Sequence, residues 1–244
     1  MRRTVSCITP FHLEGQIAHK TLLGFERARR SSEAAGVSVE LVAVLDSADA
    51  ETACIVRNHP VIRGADQIVE VQHRDLGDAR NAGVQSATGE FCAMLDGDDY
   101  VSANWFGTAL DRVLTAPVPV VVHPEYVVAY GRVDCVTRYL DFLEQPYPSL
   151  NCLKVHPWVS AVLARREVFL DTPYQRTDVR ETGFGYEDWH WNLEVWAEQR
   201  IMHTLARRTA LFYRTKPHSM LTDMDAMNAI IRPSKFFTSP DLWT

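Results

Sequence analysis

The chain has 244 residues, 46% of them hydrophobic and 23% charged, and carries a formal net charge of −6. That length and apolar content suit one α/β domain with a full core, and the acidic balance excludes a nucleic-acid-binding protein, which carries a basic excess or stripe. The five cysteines (Cys7, Cys54, Cys92, Cys135 and Cys152) show no CxxC or Cys/His zinc pattern, and no secretory or membrane-length apolar run is seen; a reducing, cytoplasmic setting is expected, with membrane association only peripheral, at the inner face or through a partner.

Residues 5–8 read as a short buried strand ended by Thr9-Pro10. A helix is expected over 14–35, with Ile17, Leu22, Leu23 and Phe25 on its apolar face and Gly36 as its stop. Arg27, Arg29 and Arg30 in this helix form the densest basic cluster and read as a solvated helix end. Residues 39–45 form a second strand ending at Asp46. A short helix over 50–58, a third strand over 67–71 and a helix over 76–86 follow, the last capped by Asp75 or Asp78. A fourth strand over 91–95 runs into Asp96, and 103–114 is helical.

The second half is less regular. Strands are expected over 118–122 and 126–130, separated by His123-Pro124. Residues 131–158, rich in Pro, Tyr and Leu, are expected to form an irregular wall. Another strand over 160–164, a helix over 186–199, a strand over 207–213 and a helix over 224–231 complete the chain. Apolar strands alternating with helices imply a mostly parallel, Rossmann-like sheet covered on both faces, whose ligand lies beyond the carboxyl ends of the strands. Thr9-Pro10, Asp46 and Asp96 all sit at such ends. The absence of repeats or low-complexity linkers gives one domain over 1–244, with a regular half over about 1–115, a less regular half over about 116–220 and a tail over 221–244.

Three segments carry chemistry. Asp96-Gly97-Asp98-Asp99 delivers three carboxylates into a tight turn, where their mutual repulsion calls for a cation. Mg²⁺ and Mn²⁺ prefer such oxygen ligands and take one or two carboxylates plus substrate phosphates, and Gly97 lets backbone approach a ligand closely. A solvated Asp-Gly turn is the competing reading of the tetrapeptide alone; its place at a strand end favours the metal. Asp78-Ala79-Arg80-Asn81 puts an Arg-Asn pair near the same edge, able to contact a diphosphate or brace the acids, or simply to lie on a capped helix. Gly183-Phe184-Gly185-Tyr186-Glu187-Asp188 leads into a helix whose positive end stabilises carboxylates, with Asp188 as a candidate general base and Trp189 and Trp191 as walls of a sugar site or as core.

With Thr9-Pro10-Phe11-His12, Leu45-Asp46-Ser47-Ala48-Asp49, Ala79-Arg80-Asn81-Ala82-Gly83, Asp96-Gly97-Asp98, Glu187-Asp188-Trp189-His190 and Tyr213-Arg214-Thr215-Lys216-Pro217-His218-Ser219 in this order, the chain resembles a family 2 glycosyltransferase of the GT-A fold over about residues 4–220. The resemblance implies an inverting enzyme that moves a sugar from a nucleotide diphosphate sugar, UDP-linked by preference, to a hydroxyl of a glycan or lipid-linked acceptor in bacterial surface polysaccharide synthesis. It implies that the half over about 1–115 binds the nucleotide, through Thr9, Pro10, Phe11, Asp46, Arg80, Asn81, Asp96 and Gly97, and that the half over about 116–220 is acceptor-binding and catalytic. Asp98, Asp96 and His218 are then the ligands of Mn²⁺ or Mg²⁺, Asp188 with Glu187 is catalytic, and Lys216, Trp158 and Trp189 face the diphosphate or the acceptor. The chain departs from the family in the single Asp46, in His190 and in Lys216, where the family often has His. Two rivals are a sugar nucleotidyltransferase, for which no Gly-rich loop followed by Lys is found near the first strand, and a degenerate domain that only binds glycans or partners, such as other glycosyltransferase domains, which the intact acids at 96, 98, 187 and 188 oppose.

Overall fold

The computed structural model describes residues 3–144, 149–217 and 219–243. Strands β1 (Thr4–Phe11), β2 (Ser38–Asp46), β3 (Gln67–Val71) and β4 (Phe91–Met94) are joined by helices α1 (Gln16–Ala34), α2 (Ala50–Arg57) and α3 (Leu76–Ser86). They pair in parallel in the order β3-β2-β1-β4. Then come β5 (Tyr100–Val101), α4 (Trp105–Thr115), β6 (Val120–Gly131), β7 (Cys135–Arg138), β8 (Leu163–Arg165), α5 (Arg166–Asp171), α6 (Val179–Thr182), β9 (Phe184–Gly185), α7 (Glu187–Gln199), β10 (Met202–Thr215), α8 (Met220–Ala226) and β11 (Ile230–Ile231). The main sheet continues β4-β8-β6-β10-β5, with β7 on β6 and a separate β11-β9 pair. β8 runs antiparallel to β4 and β6, β5 antiparallel to β10, and β6 parallel to β10. This is a mixed, mostly parallel sheet of the expected class.

Successive strand residues face opposite sides, so each central strand feeds two cores. Val5, Cys7, Leu41 and Phe91 pack with Leu22 and Phe25 of α1 and Trp105 and Phe106 of α4. Ile8, Val42, Val44, Cys92 and Met94 pack on the other face against Val84 of α3, Phe169 of α5 and Trp191 of α7. Near-continuous apolar runs in β1, β2 and β4 are the consequence of cover on both faces. Among the described residues no helix is long and apolar enough to cross a membrane, and all five cysteines are free.

The first half matches the expected elements to within a residue or two, except that β1 runs on through Thr9-Pro10 to Phe11 and the short β5 was not expected; the second half departs further. The two strands expected on either side of His123-Pro124 are one strand, β6. Pro124 lacks a donor for the ladder, and the register with β10 shifts opposite it, between Ala206 and Ala210. There the buried Glu125 carboxylate accepts from the Arg208 backbone N–H at 2.7 Å and from Arg138 at 2.9 Å. The expected wall includes β7, and the helix expected over 224–231 is α8 plus β11. Asn228, at φ 51, turns the chain out of the helix, and Ile230–Ile231 pairs with Phe184–Gly185.

Arg29 is a correction of a different kind. It is not a solvated helix end but is fully buried. Its Nη1 donates to both Asp66 oxygens at 2.8 Å, its Nε to Glu26 at 2.8 Å, and its Nη2 to the Val61 carbonyl. A buried cation demands such partners, and Asp66 also accepts from the Leu41 backbone N–H at 2.8 Å, tying α1 to β2.

Burial alone would raise the Glu26 carboxyl, but Arg30, Arg63 and Arg29 outweigh it and bring it from 4.5 down to about 2. A carboxyl depressed in the folded state stabilises the fold above its unfolded value and loses that contribution as pH falls through its folded one. Urea denaturation at a series of pH values should therefore show stability falling between pH 4.5 and about 2. Glu26→Gln should flatten that part of the profile and cost about 2 kcal/mol at pH 7, the worth of hydrogen bonds to a charged group.

Candidate active site

The carboxyl ends of β1 and β4 meet with almost no space between them. A Cβ on Gly97 would lie 2.5 Å from the Pro10 carbonyl oxygen and 2.8 Å from Phe11 Cδ1, so glycine is required by packing against β1 and not for access to a ligand. The Thr21 hydroxyl donates to the Gly97 carbonyl at 2.8 Å and pins the turn to α1. Thr9, Pro10 and Phe11 are all buried; they form the floor under the acidic turn.

Asp46, at the end of β2, is buried, and its carboxylate is directed at backbone. Oδ1 accepts from the N–H groups of His73 at 2.7 Å and Arg74 at 2.9 Å, and Oδ2 from that of Asp75 at 3.1 Å. It holds the loop that enters α3, where Asp75 caps the helix by accepting from the Asp78 N–H at 2.9 Å. Asn81 likewise faces backbone: its Nδ2 donates to the Tyr174 carbonyl at 2.8 Å and its Oδ1 accepts from the Tyr174 N–H at 3.0 Å. Both residues shape the site's walls from behind.

Arg80 of α3 is the centre of the site. It is 1% exposed, donates from Nη2 to Asp96 Oδ1 and from Nη1 to Glu187 Oε1, each at 2.7 Å, and lies 5.2 Å from the Tyr174 ring centroid. Ser160 donates to the other Asp96 oxygen at 2.7 Å. Burial would raise the Asp96 carboxyl, but Arg80 and the Ser160 hydroxyl hold it below the ordinary carboxylate range. Burial pushes Glu187 upward, against the pull of Arg80.

The three acids of the turn thus have three fates. Asp96 is engaged on both oxygens. Asp99 is 1% exposed; its Oδ1 accepts from the Arg214 N–H at 2.8 Å, and burial, followed by the charges of Asp98 and Asp96, pushes its pKa well up. Asp98 remains partly open and forms an ion pair with Lys216, beyond β10. Among the described residues no group of three His, Cys, Asp or Glu side chains converges as a metal cage. A hard divalent ion that keeps waters and substrate phosphates needs only one or two carboxylates, and Asp98, already facing a cation, fits that part. His218 lies outside the described residues.

Glu187 and Asp188 open α7. The preceding Tyr186 is a non-glycine residue in the left-handed region, φ 59 and ψ 55, a conformation held by its hydroxyl donating to Asp225 at 2.8 Å. This turn sends Glu187 inward to Arg80 and leaves Asp188 with a side chain 22% exposed. Asp188 Oδ1 accepts from the Trp189 N–H at 2.8 Å, one of the free donors of a helix start. Trp189 is half-buried beside it, its Nε1 donating to the Cys152 carbonyl at 2.8 Å. Trp158 is 2% exposed and packs among Phe142, Trp196 and His203, so it is core and offers no face to a sugar. His190 points to the other side of α7, where it lines a polar cavity of 430 Å³ with Glu194, Glu198 and Lys235.

Sequence reasoning missed Ser160, which carries no motif, and the division of labour within the acidic turn, which depends on what lies across from each oxygen.

The model of the family described as Glycosyl transferase family 2 matches residues 6–171, and the chain belongs to that family. None of the curated proteins compared with it matches. Among solved structures the chain is similar to S. aureus TarS 1–349 in complex with UDP-GlcNAc, with TM-score 0.67 and 15% identity over 96% of this chain and 64% of that one. It is also similar to the mannosyltransferase PcManGT from Pyrobaculum calidifontis in complex with GDP-Man and Mn²⁺, with TM-score 0.61 and 18% identity over 99% and 68%. These likenesses show the GT-A fold. The chain spans under two thirds of the length of the TarS fragment.

Removing one partner from a buried ion network leaves uncompensated charge, at a cost of about 3–5 kcal/mol. Arg80→Met should therefore lower the urea-unfolding free energy by about that amount, and Ser160→Ala, which strips one hydrogen bond from a buried carboxylate, by about 1–3 kcal/mol.

Proposed function

We propose that the chain is an inverting glycosyltransferase that moves a sugar from a nucleotide diphosphate donor, UDP-linked by preference, to a hydroxyl of a glycan or lipid-linked acceptor, in surface polysaccharide assembly. One arrangement carries this reading: the partly open acid Asp188 at the start of α7 is joined through Glu187, Arg80 and Asp96 to the acidic turn at the end of β4. A base for the acceptor and an anchor for the donor are thereby held in fixed relation, which is what single displacement at an anomeric carbon requires.

In this reading the floor of Thr9, Pro10 and Phe11 and the loop held by Asp46 receive the nucleoside. Asp98 holds Mn²⁺ or Mg²⁺ together with the diphosphate. The ion, when bound, stabilises the charge that develops on the leaving diphosphate. Lys216, on a half-buried stem beside Asp98, supplies a second positive charge to the same oxygens. Trp189 sits beside Asp188 on the acceptor side. Asp188 takes the proton of the attacking hydroxyl as the new bond forms, and Arg80 with Glu187 keeps the helix start in place while it does so. Binding of UDP-GlcNAc by the TarS fragment and of GDP-Man with Mn²⁺ by PcManGT supports the donor class.

A thermal-shift screen of UDP-sugars and GDP-mannose with and without Mn²⁺ identifies the donor, since a ligand that binds the native state raises its stability. Asp188→Asn should keep nucleotide affinity and lose transfer about 10²–10⁴-fold; normal turnover in that variant would falsify the assignment of the base. Asp98→Ala should remove the Mn²⁺-dependent part of UDP binding measured by calorimetry, and an unchanged affinity would reject Asp98 as the metal anchor. Slow hydrolysis of the donor in the absence of acceptor separates an enzyme from a domain that only binds glycans.

A further inference from the structure

His156 lies between a short 3₁₀ helix, Ser149–Leu153, and β8, in a segment with no regular structure, yet its ring is fixed from three sides. It stacks on Trp189 at 5.9 Å between centroids and 9° between planes, and meets the Trp158 ring edge-on at 6.5 Å. Both neighbours are themselves held: Trp189 by the Cys152 carbonyl, and Trp158 by stacking on His203 at 3.9 Å. On its third side His156 Nε2 is 3.0 Å from Asn192 Nδ2, and Asn192 is 1% exposed.

With the Asn192 amide nitrogen turned toward it, as here, Nε2 accepts, and the neutral ring then carries its proton on Nδ1. Nδ1 faces Asp188 Oδ2 at 3.7 Å, beyond direct hydrogen-bond range; closing the contact requires the aspartate side chain to turn toward the ring. With Oδ1 already accepting from the Trp189 N–H, the carboxylate is then held at both oxygens, each keeping a lone pair for the acceptor's proton.

We propose that His156 is a positioning residue for Asp188, a neutral imidazole whose Nδ1–H orients the carboxylate toward the acceptor hydroxyl. The inference rests on the reading of Asp188 as base.

Neutrality matters to the role. An imidazolium would form an ion pair with Asp188 and weaken it as a base by more than a neutral N–H does, so the neutral ring orients the carboxylate at the smaller cost in basicity. Burial lowers the His156 pKa, opposed by the Asp188 charge and reinforced by that of Arg80. The other groups that act on Asp188 are Arg80 from α3, Glu187 beside it on α7, and the hydroxyls of Tyr139, Tyr174 and Tyr213. Burial pushes Tyr139 up to about 12 and the other two higher, so all three remain neutral phenols. Arg80 and Glu187 are unchanged by substitution at 156, and a difference between variants therefore reports His156.

The test compares wild type, His156→Phe, His156→Asn and Asp188→Asn, using hydrolysis of whichever donor among UDP-GlcNAc, UDP-glucose, UDP-galactose and GDP-mannose gives the largest thermal shift. Phe keeps the stack on Trp189 and removes the donor; Asn restores an N–H at the position of Nδ1. His156→Phe should lower kcat about 10–100-fold with donor KM and calorimetric UDP affinity unchanged. A carboxylate that loses a donor to its charged form becomes easier to protonate, so the acid limb of the kcat profile should move to higher pH. His156→Asn should return kcat to within about threefold of wild type and the limb to its place. A purely structural role would instead lower the thermal midpoint and UDP affinity and leave the limb where it was, which overturns the proposal, as does wild-type kcat in His156→Phe or failure of folded His156→Asn to rescue. Turnover retained in Asp188→Asn rejects the base itself; loss there with a wild-type His156→Phe rejects only the positioning role.

Discussion

A buried guanidinium organises this site. Arg80 has no access to water and therefore must find its counter-charge inside the protein. It finds two, Asp96 at the end of β4 and Glu187 at the start of α7, and these belong to elements 91 residues apart in the chain. The acidic turn and the start of α7, the donor and acceptor sides of the proposed site, are thereby set at a fixed separation by two hydrogen bonds of 2.7 Å each. Replacing the triad's charges with apolar groups is the kind of change that can leave a fold intact; what the charges supply here is register between two sides of a site.

The rest of the site consists of polar groups facing inward to support a few that face outward. Asp46 spends its carboxylate on three backbone donors, Asn81 both ends of its amide on Tyr174, and Asp99 one oxygen on Arg214. Each ties a loop to a strand end or helix start, where backbone groups lack partners within their own element. Asp98 with Lys216, and Asp188 with His156, are the pairs left partly open, on opposite sides of the Arg80 network. Reactive groups held by a shell of satisfied ones are positioned without being immobilised by their own bonds.

Much of this was legible in the chain. The alternation of apolar runs and helical segments identified β2 to β4 and α1 to α4 to within a residue or two, because strands covered on both faces leave an unbroken apolar record; β1 was found but cut short at Thr9-Pro10, through which its ladder with β2 continues to Phe11. The ordered motifs identified the family. Less legible was β6, where His123-Pro124 read as a break. The strand survives because β10 shifts its register across from the proline, and that partner lies about 80 residues away. Arg29 read as solvated for the same reason: its neighbours in sequence are polar, and its partner Asp66 comes from beyond β2.

The sequence by itself determined which residue types stand at the strand ends, since strand and helix periodicity are local and an acidic turn after an apolar strand announces itself. Only the tertiary structure decided what each acid does. Asp96, Asp98 and Asp99 are near neighbours in one turn, yet one is bound by arginine and serine, one stays open beside a lysine, and one is buried against backbone. Likewise Glu187 and Asp188 are adjacent, but the left-handed Tyr186 turns the first inward and leaves the second at the cleft. A carboxylate's protonation and freedom depend on the charges and donors within a few ångströms, and here those come from segments that approach only after the chain has folded.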